Sequence, residues 1–380
     1  MKAPIYLDYA AATPLDERVL AAMQPYFADN FYNPSALYGA ARDTHKVLDT
    51  ARARVAAMFG ARPSEIVFTA GGTESDNLAI HGIMQQFPEG NIVTSAIEHD
   101  AVLVPAEQYN HRSAPVKEDG LIDLNELEKL IDDKTVLVSI MYANNEIGTV
   151  QPISKIAKKL QFLREQRRQT GNQLPLYFHT DACQAAAYLD LHVARLGVDL
   201  MTINGGKIYG PKQSGTLYVR GGITLAPLVL GGGQERGLRS GTENVAACVG
   251  LAAALELVQA NRHDEARRLQ ELQKQFIDAV SEELPQAIIR GSRKLRLPNN
   301  VHLTIPGADN ERLLIQLDEA GIMAAAGSAC SASSEMPSHV LRALGLSDDE
   351  ARASLRFSMG RATTAEQVKT TVATLAQLVA

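Results

Sequence analysis

The sequence contains few cysteines, only three in 380 residues. Cys183, Cys248 and Cys330 do not have the spacing of metal ligands, and an odd number cannot pair completely. We therefore expect no disulfide framework and a reduced, cytoplasmic setting. The sequence also lacks an uninterrupted apolar run of about 18 residues or more, so no membrane span is expected.

Positive charge is not in excess, because 37 Lys and Arg residues stand against 43 Asp and Glu, giving a net charge of −6. Direct nucleic-acid binding is therefore not expected as the main role. Nucleotide-binding glycine motifs are missing too. The glycine-rich segment at residues 69–77 has neither the Gly-Lys-Ser/Thr of a P-loop nor G-x-G-x-x-G spacing, which disfavours ATPases and dinucleotide oxidoreductases.

Apolar, β-rich segments alternate with helical patterns between about residues 60 and 220. This alternation predicts an α/β domain with a mostly parallel sheet, in which ligands bind at the carboxyl ends of the strands. The predicted strands cover residues 65–69, 91–95, 135–141, 176–180, 199–203 and 215–219. The predicted C-terminal helices cover residues 244–261, 264–284 and 365–379. We assign residues 15–250 to a large domain, and residues 1–14 and 251–380 to a smaller α+β domain.

Lys207 lies in a glycine-rich turn that follows one predicted strand, and Asp181 ends another. Pyridoxal phosphate (PLP) chemistry requires a lysine that forms a Schiff base and an acidic group that keeps a pyridine nitrogen protonated. Taken alone, Lys207 is more simply an ordinary loop lysine. The assignment therefore depends on the other segments of the chain.

Three further segments follow predicted strands and carry polar candidates. Gly72 and Thr73 open a helix, where Thr73 is expected to cap the helix and the helix dipole favours a phosphate, although a simple tight turn fits equally well. His99 is suited to stacking on a planar cofactor or moving a proton, but a lone histidine is more often structural. Asn145 is suited to donating to a bound ring, or belongs to an Asn-rich turn.

The C-terminal half contributes three more candidates. Cys330 lies among small residues, so we expect an exposed, mobile loop that suits a nucleophile. Cys183 and Cys248 are expected to be small buried hydrophobes. Thr242 is expected to cap the next helix or donate to a phosphate. Arg356 is suited to bidentate binding of a substrate carboxylate, with a surface ion pair as the alternative.

Together these segments resemble the cysteine desulfurases, PLP enzymes of fold type I in aminotransferase class V. The resemblance covers nearly the whole chain. The segments that carry it are residues 72–77 (Gly-Thr-Glu-Ser-Asp-Asn), 144–148 (Asn-Asn-Glu-Ile-Gly), 207–212 (Lys-Ile-Tyr-Gly-Pro-Lys), 239–242 (Arg-Ser-Gly-Thr) and 327–330 (Gly-Ser-Ala-Cys). It implies a large domain with a seven-stranded, mostly parallel sheet covered by helices on both faces, and a smaller α+β domain that carries the Cys330 loop.

The resemblance also implies PLP as the cofactor and gives a role to each candidate. The implied cofactor-binding residues are Gly72, Thr73, His99, Asn145, Asp181, Gln184, Asn204, Lys207 and Thr242. Thr242 is implied to reach the phosphate from the other subunit of a homodimer. Asn33 and Arg356 are implied to anchor the carboxylate of L-cysteine.

The same resemblance implies the reaction and its partners. Lys207, His99 and Cys330 are the implied catalytic residues, with L-alanine released and a persulfide left on Cys330. A sulfur-acceptor protein, either an iron–sulfur scaffold or a tRNA-thiolation protein, is the implied partner. No metal site is implied beyond a transient iron–sulfur contact through Cys330.

Two positions depart from the family pattern. Gly206 replaces a histidine that commonly contacts the phosphate, which predicts weaker cofactor binding unless Asn204 compensates. Tyr38 also stands where a histidine is usual. Three alternatives stay open: a selenocysteine lyase, an aminotransferase, which would not need Cys330, and a degenerate, non-enzymatic member, which only Gly206 favours.

Overall fold

A computed structural model describes residues 4–327 and 337–379, and within these ranges the chain forms twelve strands and twelve α-helices. In chain order the strands are β1 Ile5–Tyr6, β2 Ile66–Thr69, β3 Asn91–Ser95, β4 Asn110–Ala114, β5 Thr135–Ser139, β6 Tyr177–Asp181, β7 Leu200–Asn204, β8 Gly215–Val219, β9 Ile288–Ile289, β10 Asn300–Thr304, β11 Ile322–Met323 and β12 Ser354–Ser358. The helices are α1 Glu17–Met23, α2 Gly39–Phe59, α3 Gly72–Met84, α4 Asp100–Ala106, α5 Leu124–Leu130, α6 Ile153–Gln169, α7 Val193–Leu196, α8 Val245–Glu283, α9 Asn310–Glu319, α10 His339–Ala343, α11 Asp348–Arg352 and α12 Ala365–Val379.

A seven-stranded mixed sheet forms the centre of the chain, with strand order β2-β8-β7-β6-β5-β3-β4. Strand β8 is antiparallel to both neighbours, and the pairs from β7 to β4 are all parallel. This arrangement confirms the expected α/β fold with a mostly parallel sheet.

Helices cover both faces of this sheet. Ile92 of β3 packs in a cluster with Leu78 of α3, whereas the next residue, Val93, packs in a different cluster with Val55 of α2 and Leu251 of α8. Adjacent strand residues point to opposite faces, so both faces are buried. Burial on both faces explains why the inner strands are continuous apolar runs rather than alternating patterns.

A smaller set of strands lies beside the central sheet. It comprises the antiparallel sheet β12-β10-β9 and the parallel pair β1-β11. Their hydrophobic cluster is centred on residues such as Phe276, Leu303 and Phe357. Strand β1 joins this region although it comes first in the sequence, because Ile5 and Tyr6 pair with β11.

Helix α8 is one continuous helix of 39 residues, where the sequence predicts two. The polar residues between the two predicted helices, 244–261 and 264–284, include neither glycine nor proline, so no helix-breaking residue ends the helix there. Its first part packs on the central sheet as far as Val258, and its second part joins the smaller cluster from Leu269. The domain division at residue 250 stays a prediction.

The same helix is long and apolar enough to pass a test for membrane spans. Its most apolar 18-residue window has a mean hydropathy of 1.2, but 72% of that window is buried inside the protein. Such extensive burial is typical of a core helix that packs against a sheet.

Candidate active site

A pocket lies where β5, β6 and β7 end and where α3 begins. It is lined by Ala10, Ala11, Gly72, Thr73, Asp76, His99, Ala101, Met141, Asn145, Asp181, Cys183, Gln184, Asn204, Lys207 and Arg356. Nine of the twelve residues predicted from the sequence are in this set. The carboxyl edge of the parallel strands is where α/β sheets bind ligands.

Lys207 ends a single 3₁₀ turn that directly follows β7. The turn is held by Asn204, whose Oδ1 accepts a hydrogen bond from the Gly206 amide at 3.0 Å. Lys207 Nζ donates to the carbonyls of Ala10 at 3.0 Å and Ala11 at 2.6 Å. Burial lowers the pKa of Lys207, which increases the fraction of neutral amine available to attack a carbonyl carbon.

Asp181 is the last residue of β6, and its Oδ1 accepts a hydrogen bond from the backbone amide of Cys183 at 2.8 Å. Burial, with the nearby charge of Asp181, raises the pKa of the Cys183 thiol well above its ordinary value. Cys183 is therefore a neutral thiol in the wall of the pocket. It is buried, as the sequence predicts, and it lines the pocket because it follows Asp181 by two residues.

Asp76 is a pocket residue to which the sequence analysis gave no role. Its side chain is fully buried, and Oδ1 has no hydrogen-bond partner among the described residues. Burial and the charge of Asp181 raise its pKa well above the usual range of a carboxyl. Its sequence signals are an acidic residue one turn into a helix and its place in the segment 72–77, which carries the resemblance to cysteine desulfurases.

Helix α3 presents its amino-terminal end to the pocket. Gly71, with φ of 146°, is the N-cap, and Thr73 is the second residue of the helix. The expectation that Thr73 caps the helix is therefore wrong, because the helix begins one residue before it. An added Cβ at Gly72 would lie 2.8 Å from Cys183 Sγ, so only glycine fits between helix and strand end. Free amides and the dipole at this end favour an anion.

His99 is the N-cap of α4, and its Nδ1 accepts a hydrogen bond from the Ala101 amide at 3.0 Å. This contact assigns the ring proton to Nε2 and fixes the ring orientation. The preceding residue, Glu98, is fully buried and accepts hydrogen bonds from the Met141 amide at 2.8 Å and the Ser95 hydroxyl. Burial raises the pKa of Glu98 to about 8.

Arg356 enters the pocket from β12 and is almost completely buried. Its Nη2 donates to Asp8 Oδ1 at 2.7 Å, and its Nη1 donates to the Asn145 carbonyl at 3.0 Å. Its Nε has no partner among the described residues. Gln184 is held nearby, because its Nε2 donates to the Ala10 carbonyl at 2.9 Å.

Two predicted residues are not brought into this pocket, and a third is not among the described residues. Asn33 is exposed, and its Oδ1 accepts a hydrogen bond from the Ser35 amide at 2.9 Å. Thr242 is exposed and lines a separate cavity with Cys248. The N-cap of α8 is Asn244, whose side chain bonds the Ala247 amide, so the expectation that Thr242 caps this helix is wrong. Cys330 and most of its predicted loop lie outside the described residues.

The donor set of the pocket fits PLP. The α3 amino terminus suits a phosphate, the buried amine of Lys207 suits an aldehyde, and the carboxylate of Asp181 suits a protonated ring nitrogen. The absence of a side chain at Gly72 supports this fit, since a side chain there would fill the space beside the amino-terminal end of α3.

Comparison with known proteins agrees with this geometry. The Aminotransferase class-V family model matches residues 5–370. The chain is 40% identical to "Cysteine desulfurase IscS" of Dictyoglomus turgidum, in an alignment that covers 100% of this chain and 95% of that relative.

Solved structures also match this chain over nearly its whole length. A NifS-like protein from Rickettsia africae matches with a TM-score of 0.88 and 31% identity over 99% of both chains. The structure titled "SspA in complex with cysteine" matches with a TM-score of 0.79 and 36% identity over 93% of this chain and 98% of that one.

Proposed function

The chain belongs to the class-V aminotransferase family, and from that membership we propose that it is a cysteine desulfurase that converts L-cysteine to L-alanine. Family membership implies PLP dependence. The observation that carries the proposal is the convergence of Lys207, Asp181, His99 and Arg356 on one pocket, in a chain whose full-length relative is named a cysteine desulfurase.

Bound PLP supplies an electron-withdrawing ring that stabilises negative charge on the substrate carbon. Lys207 supplies the amine that holds the cofactor, and its lowered pKa favours the reactive neutral form. Asp181 supports positive charge on the ring nitrogen. Gly72, Thr73 and Asn204 would hold the phosphate at the α3 amino terminus, and Asn145 and Gln184 would face the phenolic oxygen of the cofactor.

The remaining residues act on the substrate. Arg356 binds the carboxylate of L-cysteine, and His99, whose ring orientation is fixed by Ala101, would contact the cofactor and move protons through Nε2–H. Cys330, as a thiolate, bonds to the substrate sulfur while the carbon–sulfur bond breaks. The electron pair stays with the carbon, which takes a proton to become alanine, and Cys330 keeps the sulfur as a persulfide.

The proposed assembly is a homodimer in which Thr242, and also Asn33, serve the pocket of the other subunit. Both residues are exposed and lie outside their own pocket. Exposed apolar side chains support the proposal, since Phe27, Phe31 and Leu37 are 61%, 66% and 89% exposed, and Leu230 is 80% exposed. Such surfaces mark protein interfaces.

The persulfide needs a recipient, and we propose a protein acceptor that serves iron–sulfur cluster assembly or tRNA thiolation. The proposed setting is the cytoplasm. Among the described cysteines, Cys183 and Cys248 are both free thiols, which agrees with a reducing compartment.

A single-turnover experiment tests the nucleophile. The PLP-loaded protein is mixed with one equivalent of L-cysteine, digested without reductant and analysed by mass spectrometry. We expect one added sulfur atom on Cys330, and Cys248→Ala serves as the matched control that keeps this signal. Sulfur on Cys183 or Cys248 alone would contradict the proposed role of Cys330.

A further inference from the structure

Asp8 contacts the guanidinium group of Arg356, which the proposed function assigns to the carboxylate of the substrate. Its carboxylate lies 2.7 Å from Arg356 Nη2, and the side chain of Arg356 is only 1% exposed. Asp8 itself is 20% exposed by side chain and precedes Ala10 and Ala11, whose carbonyls accept hydrogen bonds from Lys207. One short segment thus holds both the amine and the guanidinium of the pocket.

Guanidinium geometry makes Nη2 the critical atom. A carboxylate binds a guanidinium bidentately either through Nη1 and Nη2 or through Nε and Nη2. Both arrangements use the nitrogen that Asp8 holds. Since Nη1 already donates to the Asn145 carbonyl, the Nε–Nη2 edge is the one with a free donor among the described residues.

The charges around Arg356 explain why an internal carboxylate is present. His302 lies opposite Arg356 across the β10–β12 pair, is fully buried and has a pKa lowered to about 3 by burial and by neighbouring guanidinium groups. Those groups belong to Arg296, Arg356 and Arg290, of which Arg290 is paired with Glu350 at 2.9 Å. Asp8 compensates the buried charge of Arg356, which would otherwise be costly.

We propose that Asp8 is a specificity-setting residue that competes with the substrate carboxylate for Arg356, an inference that rests on the proposed function. A substrate carboxylate on the Nε–Nη2 edge shares Nη2 with Asp8 or displaces it, and the negative charge of Asp8 opposes its binding in both cases. Asp8 therefore weakens the attraction of the pocket for carboxylates in general, so that productive binding depends on the amino group and side chain as well.

The test compares two ligands that do not lose sulfur. L-Alanine and L-alaninamide, which lacks the carboxylate, are titrated into the PLP-loaded protein, and dissociation constants are read from the cofactor absorption. Asp8→Asn keeps the size and a hydrogen-bond acceptor but removes the charge. We expect it to bind L-alanine more tightly by at least about threefold, and L-alaninamide with unchanged affinity.

Asp16→Asn is the matched control, since Asp16 pairs with Arg361 at 2.6 Å and does not line the pocket. It should leave both dissociation constants unchanged. Asp8→Ser removes the same charge with a smaller side chain and serves if Asp8→Asn does not fold. Weaker binding of L-alanine in the charge-free variant, or an equal change for both ligands, would overturn the proposal. Sulfide release by the wild type is measured separately, so a failed desulfurase assignment is distinguished from a failed role of Asp8.

Discussion

Single atoms decide what the pocket accepts. The Cβ that Gly72 lacks would fall 2.8 Å from Cys183 Sγ, so the helix end can approach the strand end only with glycine at this position. Gly206 differs, because an added Cβ there would lie 3.4 Å from Asn204 Oδ1 and 3.6 Å from Lys212 Cγ, which are ordinary contacts. One glycine is required by packing, whereas the other leaves room for a side chain.

The space at Gly206 leads to a prediction about cofactor affinity. Gly206→His adds a donor beside the α3 amino terminus, and a hydrogen bond to a charged group contributes about 1.5 kcal/mol or more. We expect PLP affinity to rise by roughly tenfold, measured by equilibrium dialysis and cofactor absorbance. Gly206→Ala adds volume without a donor and should give no gain. Unchanged binding in Gly206→His would show that Asn204 already compensates for the missing histidine, and weaker binding would contradict the room for a side chain at this position.

Most of the candidate residues that the structure assembles lie at the end of a strand or shortly after it, whereas Arg356 lies within β12. Asp181, Asn204 and Lys207 are predictable because parallel strands end at one edge of a sheet. Asp76 and Asp8 were missed because their importance depends on burial and on a partner far away in the sequence. No local pattern reports that an arginine 348 residues away lies beside Asp8.

The segment between β3 and α4 contains Glu98, a buried carboxyl that makes the stability of the folded protein depend on pH. Glu98 has a pKa of about 8 because it is buried, whereas an unfolded glutamate ionises near pH ~4.3. The folded state therefore binds more protons than the unfolded state between these values. Stability contributed by the protonated carboxyl is complete below about pH 4 and is lost as the pH rises towards 8.

Glu98→Gln resembles the protonated carboxyl and removes this titration. Relative to wild type, the free energy of unfolding of the variant should increase between pH 5 and pH 8, measured by urea denaturation at several pH values. Glu366→Gln, at an exposed position on α12, is the control and should show no such trend. A difference between Glu98→Gln and wild type that does not vary with pH would contradict the buried, protonated state of Glu98.

A buried ion pair joins α2 to the turn Glu235–Gly237. Arg52 donates to both carboxylate oxygens of Glu235, at 2.6 and 2.7 Å, and the Phe68 amide donates to the same carboxylate at 2.8 Å. Glu235 and Arg236 both have positive φ, 46° and 59°, a conformation that these contacts hold in place. Loss of one partner would leave a buried charge without compensation.

Glu235→Ala should therefore lower the free energy of unfolding by about 3–5 kcal/mol. The matched control is Glu256→Ala, which breaks the pair with Arg54 from the same helix, where the side chains are 37% and 34% exposed. That change should cost about 1 kcal/mol or less. Denaturant midpoints of the two variants provide the comparison, and equal losses would show that the Arg52–Glu235 pair has no special role.

At the scale of the whole molecule, the fold was largely predictable and the assembly was not. The central sheet follows from alternating apolar strands and helical patterns, and the resemblance to cysteine desulfurases gave the strand number that the structure confirms. Edge strand β4 was missed because its sequence, Asn-His-Arg-Ser-Ala, is polar. Asn33 and Thr242 cannot be placed from one chain, because their proposed site belongs to two.

The proposed dimer leads to a prediction about dilution. If Thr242 completes the pocket of the other subunit, dissociation should release PLP and reduce activity together. We expect specific activity to fall on dilution in parallel with the loss of dimer seen by analytical ultracentrifugation. Leu37→Glu, at an 89% exposed position, should move both transitions to higher protein concentration. A monomer that stays fully active at high dilution would refute the dimeric site.

The most direct test of the account is the product ratio from L-cysteine. The PLP-loaded protein is incubated with L-cysteine and a thiol reductant, and sulfide and alanine are measured for wild type, Lys207→Ala and Cys330→Ala. We predict equimolar sulfide and alanine from wild type and loss of both products in each variant. Alanine or sulfide formation that persists in Cys330→Ala, or no turnover by a protein that binds PLP, would contradict the assignment as a cysteine desulfurase.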